Sequence, residues 1–363
     1  MSQTWWKRWS GGYTALGLEI ADEHVRICEV QEKQGHIRVL NYVSEPLPPG
    51  AMHDGRIVDA EALAAALNNV AKSVKWSNRS VHLALPSQSV MIRMIRMPDV
   101  PEKEMRKLIQ FELEHKLHLP FEEPSFDFVI QPLRQPAEEE APIGTDTSWL
   151  AGGEEQEAVA AQLRDVMLLA APMELLHTYS QLIEGAGLRP VSMEVKAFSL
   201  LRLTQHARME QSGVWLLVDV KQENCDLSIV DQGIIKVTRN IEIRFGHPET
   251  AATAAEAEDD PFSAWTSPEQ TFQNAAQELI SELERLINFY RYSLHHREEQ
   301  FHAVVVTGDI GDMERLTDVL TQGMTQQVIR LAWSSLEAAE RAEMWDISRY
   351  AVPLGLALRG NQR

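Results

Sequence analysis

The chain has 363 residues and a formal net charge of −19, with 53 acidic residues against 34 basic ones. Its length favours two or three domains. The acidic balance disfavours nonspecific binding to nucleic acid, because phosphate neutralisation needs a basic surface. No apolar stretch approaches the roughly 20 residues that span a bilayer, and no signal-peptide pattern is visible, so a cytoplasmic protein is expected. The two cysteines, Cys28 and Cys225, lack zinc-type spacing and are expected to be buried free thiols.

The first twelve residues form a segment of their own, in which Trp5, Trp6 and Trp9 are interleaved with Lys7 and Arg8. Tryptophan beside basic residues is typical of the membrane–water interface. The alternative is a tail whose tryptophans pack on the chain's own domain. In either case the segment is too short to anchor the protein by itself.

Two similar strand–turn–strand units begin about 200 positions apart, at Leu16 and Leu216. The first reads LGLEIADEHVRICEV with an acid at Glu19, and the second reads LLVDVKQENCDLSIV with an acid at Asp219. In each unit an apolar run meets one carboxylate, crosses a polar turn and resumes with alternating apolar residues. This repeat predicts a two-lobed α/β fold with a nucleotide-sized cleft between the lobes.

The remaining elements follow from hydrophobic periodicity and from turn and cap residues. Helices are predicted over 59–73, 101–117, 173–184, 198–203, 272–290 and 310–320. Further strands are predicted over 37–42, 81–85, 91–97, 126–130, 166–170, 191–195 and 303–306. Two acidic segments, 137–157 and 249–268, predict solvated loops.

These elements predict a domain order in which each lobe has a core subdomain and one lobe contains an insertion. Residues 1–12 form the tail, and residues 89–187 form a small inserted α/β subdomain. The first-lobe core comprises 13–88 and 188–207. The second-lobe core comprises 212–245 and 300–363, with an outer subdomain at 246–299.

Three turns converge on the predicted cleft: the two hairpin turns and a strand–turn–helix unit at Gly308. Glu19 and Asp219 are candidates to hold a magnesium ion, usually through water, or to accept hydrogen bonds from turn amides. Lys221 either reaches a phosphate or lies exposed, and Gly308 is a phosphate-turn glycine with Asp309 beside it. No GxSxG, HExxH or Walker lysine motif is present, so no catalytic residue is predicted.

Several segments, in order and over essentially the whole chain, resemble one known family. They include LGLEI at Leu16, VHLALPSQSVMIRMIRMPDVP at Val81, IQFELEHKLHLPFEE at Ile109, IEGAGLRPVSMEVKAFSLLRL at Ile183 and AVPLGLALRG at Ala351. The chain resembles the PilM family, the actin-like cytoplasmic proteins of type IV pilus assembly. A second, weaker resemblance is to the cytoplasmic actin-like domain of type II secretion, which is normally tethered by its own transmembrane helix.

The resemblance implies an actin-like ATPase fold in four subdomains, with ATP and magnesium as candidate cofactors. It also implies a partner, the N-terminal cytoplasmic tail of the inner-membrane protein PilN, docked in a groove between the first subdomain and the inserted one. Further platform and motor proteins, a ring or homo-oligomer, and a location at the cytoplasmic face of the inner membrane are implied as well. The residues expected to line or border the groove are Arg93, Met94, Ile95, Met105, Ile109 and Leu113.

The sequence departs from the family's pattern at the phosphate turns. Members have an aspartate-isoleucine-glycine turn in both hairpins and a double glycine in the third turn. Here Glu19 replaces the first aspartate, Ala21 the first glycine, Lys221 the second, and Asp309 one glycine of the pair. These changes predict a degenerate cleft on a non-enzymatic scaffold. The alternative is an ATP-binding switch or slow ATPase that uses Glu19, Asp219 and Gly308. A sugar kinase on the same fold is a third option, and it is disfavoured because the chain has no catalytic base motif.

Overall fold

The computed structural model describes most of the chain in two compact units. The described residues are 13–33, 36–117, 119–131, 163–209, 213–246, 267–293, 299–331, 336–337 and 348–360. The tryptophan-rich tail 1–12, the acidic loop 137–157 and nearly all of the second acidic segment 249–268 lie outside them. The larger unit comprises Met1–Val90 and Glu174–Arg363, and the smaller unit comprises Met91–Met173.

The first sheet of the larger unit has six strands. In chain order these are β1 (Tyr13–Ile20), β2 (His24–Lys33), β3 (His36–Pro46), β6 (Ser80–Leu85), β10 (Arg189–Val195) and β16 (Leu336–Glu337). Their order across the sheet is β10-β6-β1-β2-β3-β16. Strand β1 pairs antiparallel with β2 and parallel with β6. A separate two-stranded ribbon consists of β4 (Met52–His53) and β5 (Arg56–Ile57).

The second sheet of the larger unit has five strands. These are β11 (Val214–Val220), β12 (Asn224–Asp231), β13 (Ile234–Glu242), β14 (Phe301–Gly308) and β15 (Gln327–Arg330). Their order across the sheet is β13-β12-β11-β14-β15. One face packs on helices α5 (Pro268–Asn288) and α6 (Met313–Gly323), because apolar residues recur at helical spacing on both. The core residues that α5 contributes include Phe272, Ala276, Leu279, Leu283, Leu286 and Ile287.

The helices beside the first sheet are α1 (Ala60–Ser73), α3 (Met173–Gly185), α4 (Lys196–His206) and α7 (Ala351–Ala357). Helix α1 begins after Asp59, whose carboxylate accepts hydrogen bonds from two amides of the first turn. Helix α7 packs closely against strand β1 at Gly17. A Cβ atom on Gly17 would lie 1.8 Å from the carbonyl oxygen of Pro353, so only glycine permits this contact.

The described residues of the smaller unit form a three-stranded antiparallel sheet with a helix on its face. The strands are β7 (Met91–Pro98), β8 (Pro124–Ile130) and β9 (Leu163–Pro172), in the order β7-β9-β8. Helix α2 (Glu102–His115) follows Pro101 and buries its apolar face against the sheet. Pro101 suits this position because it needs no amide donor at a helix start.

The insertion is therefore narrower than the predicted 89–187, because α3 from Glu174 onward belongs to the larger unit. Tyr179 is wholly buried there, and its hydroxyl donates to the carbonyl of Gly55 at 3.5 Å. The amide of Leu188 closes the helix end by donating to Ile183 at 3.1 Å. Within the described part of the chain, no helix is both long and apolar enough to cross a membrane.

Candidate functional site

The two hairpin turns line one cleft of the larger unit, as the sequence predicts. Residues 20–24 and 221–224 face the same cavity, together with Pro86 and Lys196. Its volume is about 30 Å³, whereas pockets for small molecules typically enclose roughly 300–1,000 Å³. In this structure the cavity between the two turns is smaller than a typical small-molecule pocket.

Glu19 and Asp219 lie near the ends of β1 and β11, and the structure brings them together around an ammonium group. Both side chains are buried, at 0% and 1% exposure. The Nζ atom of Lys221 lies 3.3 Å from Glu19 Oε1 and 3.7 Å from Asp219 Oδ1. Lys221 is therefore not exposed, and it points at the two acids that the sequence suggested for magnesium.

The two acids differ in how well their charge is compensated. Burial opposes ionisation of Glu19, but the charges of Lys221, Lys196 and Arg26 outweigh it and lower its pKa. At Asp219, burial and the nearby Glu19 carboxylate raise the pKa despite the attraction of Lys221. Asp219 is thus the less stabilised anion of the pair.

A second ion pair crosses the cleft beside the first. Lys196 Nζ lies 3.2 Å from Asp226 Oδ2, and the amide of Asn240 donates to Asp226 Oδ1 at 2.8 Å. Burial opposes the Lys196 ammonium, but the carboxylates of Asp226, Glu19 and Asp219 outweigh it and raise its pKa. Sequence reasoning missed Lys196; the available signal was a lone lysine within the apolar run VKAF.

A third ion pair fixes the turn after β14. The guanidinium of Arg26 donates to the Asp309 carboxylate and to the carbonyl of Arg349, the latter at 2.9 Å. Arg349 Nε lies 3.0 Å from the other oxygen of Asp309. Burial opposes ionisation of Asp309, but Arg26 outweighs it and lowers the pKa of Asp309. Arg26 was also missed, although a single arginine in the apolar strand VRICEV is the visible signal.

The turn amides that a phosphate would need are engaged within the chain. The amides of Ala21, Lys221 and Asp309 each donate to a main-chain carbonyl, at 2.8–2.9 Å. A phosphate turn works because several amides point at one anion. The amides of Ala21 and Lys221 close their own hairpin turns, and the amide of Asp309 joins the turn after β14 to the end of β11.

Gly308 has a role in strand packing that does not require a ligand. Its φ is 141°, and a Cβ atom there would lie 2.0 Å from the carbonyl oxygen of Val220. A side chain would separate β14 from β11, since the two strands pair in parallel at this point. The glycine is thus explained by the close approach of two backbones.

The residues suggested for ATP and magnesium are paired with other groups of the chain itself. The cavity is small, the two candidate metal ligands are paired with Lys221, and Asp309 is paired with arginines. Within the described residues, no group of three or more histidine, cysteine, aspartate or glutamate side chains is placed to hold a metal ion. The acids suggested by the sequence do meet, but the chain itself supplies their counterion.

The predicted partner-binding residues lie in the smaller unit, and half of them are core residues. Met105, Ile109 and Leu113 are buried between α2 and the sheet, so they belong to the core of the smaller unit, and their place at the border of a docking groove stays a prediction. They occupy the inner face of an amphipathic helix, whose pattern does not distinguish core from a docking face. Arg93 is exposed, and Met94 and Ile95 are half-buried on β7.

Comparisons with known proteins identify the relatives of this fold. Residues 17–142 match the family model of the type IV pilus assembly protein PilM. A solved PilM-PilN type IV pilus biogenesis complex matches at 25% identity and a TM-score of 0.74, covering 96% of this chain and 99% of that one. The ethanolamine utilization protein EutJ from Carboxydothermus hydrogenoformans matches at 10% identity and a TM-score of 0.52, covering 96% and 90%. The predicted resemblance to PilM and the predicted actin-like α/β fold are confirmed.

Proposed function

We propose that this chain, similar to PilM over almost its whole length, is a scaffold of a type IV pilus or pilus-like assembly machine. In this role it binds the cytoplasmic N-terminal tail of an inner-membrane protein of the PilN kind. The observation that supports the proposal most strongly is the similarity to PilM in a PilM-PilN complex, which extends over 96% of this chain at a TM-score of 0.74.

The tail contacts the smaller unit at strand β7. Within the described three-stranded sheet, β7 is an edge strand, and edge strands pair readily with extended segments. Arg93 is exposed on this strand and Met94 is half-buried next to it. A tail that places an acidic group near Arg93 and an apolar side chain near Met94 suits this surface.

Docking does not depend on nucleotide. The cleft of about 30 Å³, with Glu19 and Asp219 paired to Lys221, supports a body whose lobes are fixed by the chain's own charges. An ATP-binding switch would need space and free anion-binding amides at this position. The filled cleft therefore supports the scaffold rather than the switch.

The test is a calorimetric titration of the purified protein with a synthetic peptide of the PilN-type tail encoded by the same organism. Arg93→Glu and Met94→Asp should each weaken binding by roughly tenfold, because a charge pair and an apolar contact are lost. Lys33→Glu, an exposed lysine of the larger unit, is the matched control. Failure of the peptide to bind the unmodified protein at micromolar concentrations would refute the proposal.

A further inference from the structure

The cleft contains a closed set of opposite charges in its interior. The carboxylates are those of Glu19, Asp219, Asp226 and Asp309, and the cations are those of Lys221, Lys196, Arg26 and Arg349. Within the described residues, each carboxylate has a cation within 4 Å as its ionic partner. This pairing matters because an isolated charge away from water is costly.

We propose that Lys221 is a built-in cation, placed between Glu19 and Asp219 where this kind of acid pair would otherwise take up a free divalent ion. The Lys221 ammonium contacts both acids, at 3.3 and 3.7 Å. Asp219 lies on β11 beside Lys221, whereas Glu19 lies on β1 of the other sheet. The ammonium therefore links the two sheets across the cleft. This inference does not rest on the proposed function.

The position of Lys221 in the chain makes this geometry possible. Its amide donates to Asn224 at 2.8 Å, which closes the tight turn between β11 and β12. The side chain then lies over the strand ends, where it is buried with both acids. A single residue thus closes the turn through its amide and supplies the positive charge through its side chain.

The proposal predicts a latent metal site beneath the lysine. Removing the ammonium leaves two buried carboxylates with space between them, and carboxylate oxygens are the ligands that hard divalent cations prefer. Lys221→Ala opens that space, whereas Lys221→Met removes the charge but still fills the volume. The two variants therefore separate the effect of removing the charge from the effect of opening a space for an ion.

The experiment compares thermal unfolding of both variants with and without millimolar MnCl₂ or MgCl₂. Both variants should unfold roughly 5 °C or more below the unmodified protein, since each leaves buried acids unpaired. Only Lys221→Ala should regain a higher unfolding temperature when the cation is added. Electron paramagnetic resonance should show that this variant binds Mn²⁺ at one site. The unmodified protein should respond to neither ion.

Two further variants complete the test. Lys116→Ala removes an exposed lysine whose ammonium lies 2.7 Å from Glu112, so its unfolding temperature should stay unchanged. Glu19→Gln combined with Asp219→Asn and Lys221→Met removes all three charges, and this variant should fold without any cation response. If Lys221→Ala fails to fold alone, refolding with Mn²⁺ should rescue it.

The inference is overturned if Lys221→Ala unfolds at the temperature of the unmodified protein. It is also overturned if Mn²⁺ stabilises neither Lys221 variant, or stabilises both equally. An unfolded Lys221→Ala that Mn²⁺ does not rescue overturns it as well. Failure of the tail peptide to bind the unmodified protein would refute the proposed function alone, so the two tests fail separately.

Discussion

The cleft of the larger unit and the surface of the smaller unit are opposites in chemistry. In the cleft, charged groups are buried and paired with one another, and the remaining cavity is about 30 Å³. On the smaller unit, apolar side chains are exposed: Leu108 at 37%, Phe111 at 51%, Val129 at 44% and Leu163 at 56%. Exposed apolar groups are available to a partner, whereas paired buried charges are not. This contrast is the basis for proposing that the smaller unit, rather than the cleft, binds the partner.

The largest effect is expected from breaking a cleft ion pair. Arg26→Met removes the cation that contacts Asp309 and leaves a partly buried carboxylate with less compensation. We expect the free energy of unfolding to fall by about 3–5 kcal/mol, the usual cost of breaking a buried pair from one side. Urea denaturation measures this loss.

The control for Arg26→Met is Arg244→Met, which breaks an exposed pair with Glu242. The free energy of unfolding of this variant should fall by no more than about 1 kcal/mol, because solvent screens surface pairs. Equal losses in both variants would show that the cleft charges contribute no more than surface charges do.

The second prediction separates the two regions by their effect on binding. Met94→Asp should weaken binding of the PilN-type tail peptide by roughly tenfold without a comparable change in stability. The paired change Glu19→Gln with Lys221→Met should lower stability but leave the dissociation constant within about twofold. Titration calorimetry gives the affinity and thermal unfolding gives the stability. A cleft variant that weakens the peptide tenfold would place the binding site in or near the cleft.

The third prediction concerns acid. The folded-state pKa values of Glu19 and Asp309 are lowered, so both groups stabilise the fold above the ordinary carboxyl range. This stabilisation should be lost as the pH falls below about 4 towards the folded-state values. Asp219, whose pKa is raised by burial, opposes this trend because its protonation favours the folded state.

The measurement for the acid prediction is the unfolding free energy from pH 7 to pH 3 for the unmodified protein and for Asp309→Asn. The variant should show the shallower loss, since one of the two responsible carboxyl groups is gone. An identical slope in the two proteins would remove Asp309 from the explanation.

The smallest expected effect concerns the two cysteines, which should not react with a thiol reagent in the native protein. Cys28 and Cys225 are both wholly buried, and burial raises the pKa of each thiol. Neither should react with a thiol reagent in the native protein, while both should react in denaturant. Rapid native labelling of Cys28 or Cys225 would show that the sheet cores open more readily than this fold implies.

Much of the fold could be predicted because it depends on local pattern. The helix at 59–73 has its capping residue Asp59, and the hairpin at Leu216 has an apolar run before its turn and alternating apolar residues after it. A few neighbouring residues are enough to specify these features. The meeting of Glu19 and Asp219 is not local, but it was suggested by the repeat, because two like hairpins place equivalent strand ends together.

The contents of the cleft could not be predicted in the same way. Whether Lys221 reaches solvent or turns inward depends in part on Glu19, about 200 positions away in the chain. The roles of Lys196 and Arg26 likewise depend on their distant partners Asp226 and Asp309. The apolar face of α2 had a similar ambiguity. Its periodicity shows that one face is buried but not whether a sheet or a docked tail covers it.

The most direct test of the account is one calorimetric experiment with two titrants. Purified protein is titrated with the PilN-type tail peptide in the presence and absence of ATP and magnesium, and then with ATP and magnesium alone. The account predicts saturable peptide binding with the same dissociation constant in both conditions and no heat of binding from ATP. Saturable ATP binding, or peptide binding that requires ATP, would contradict it.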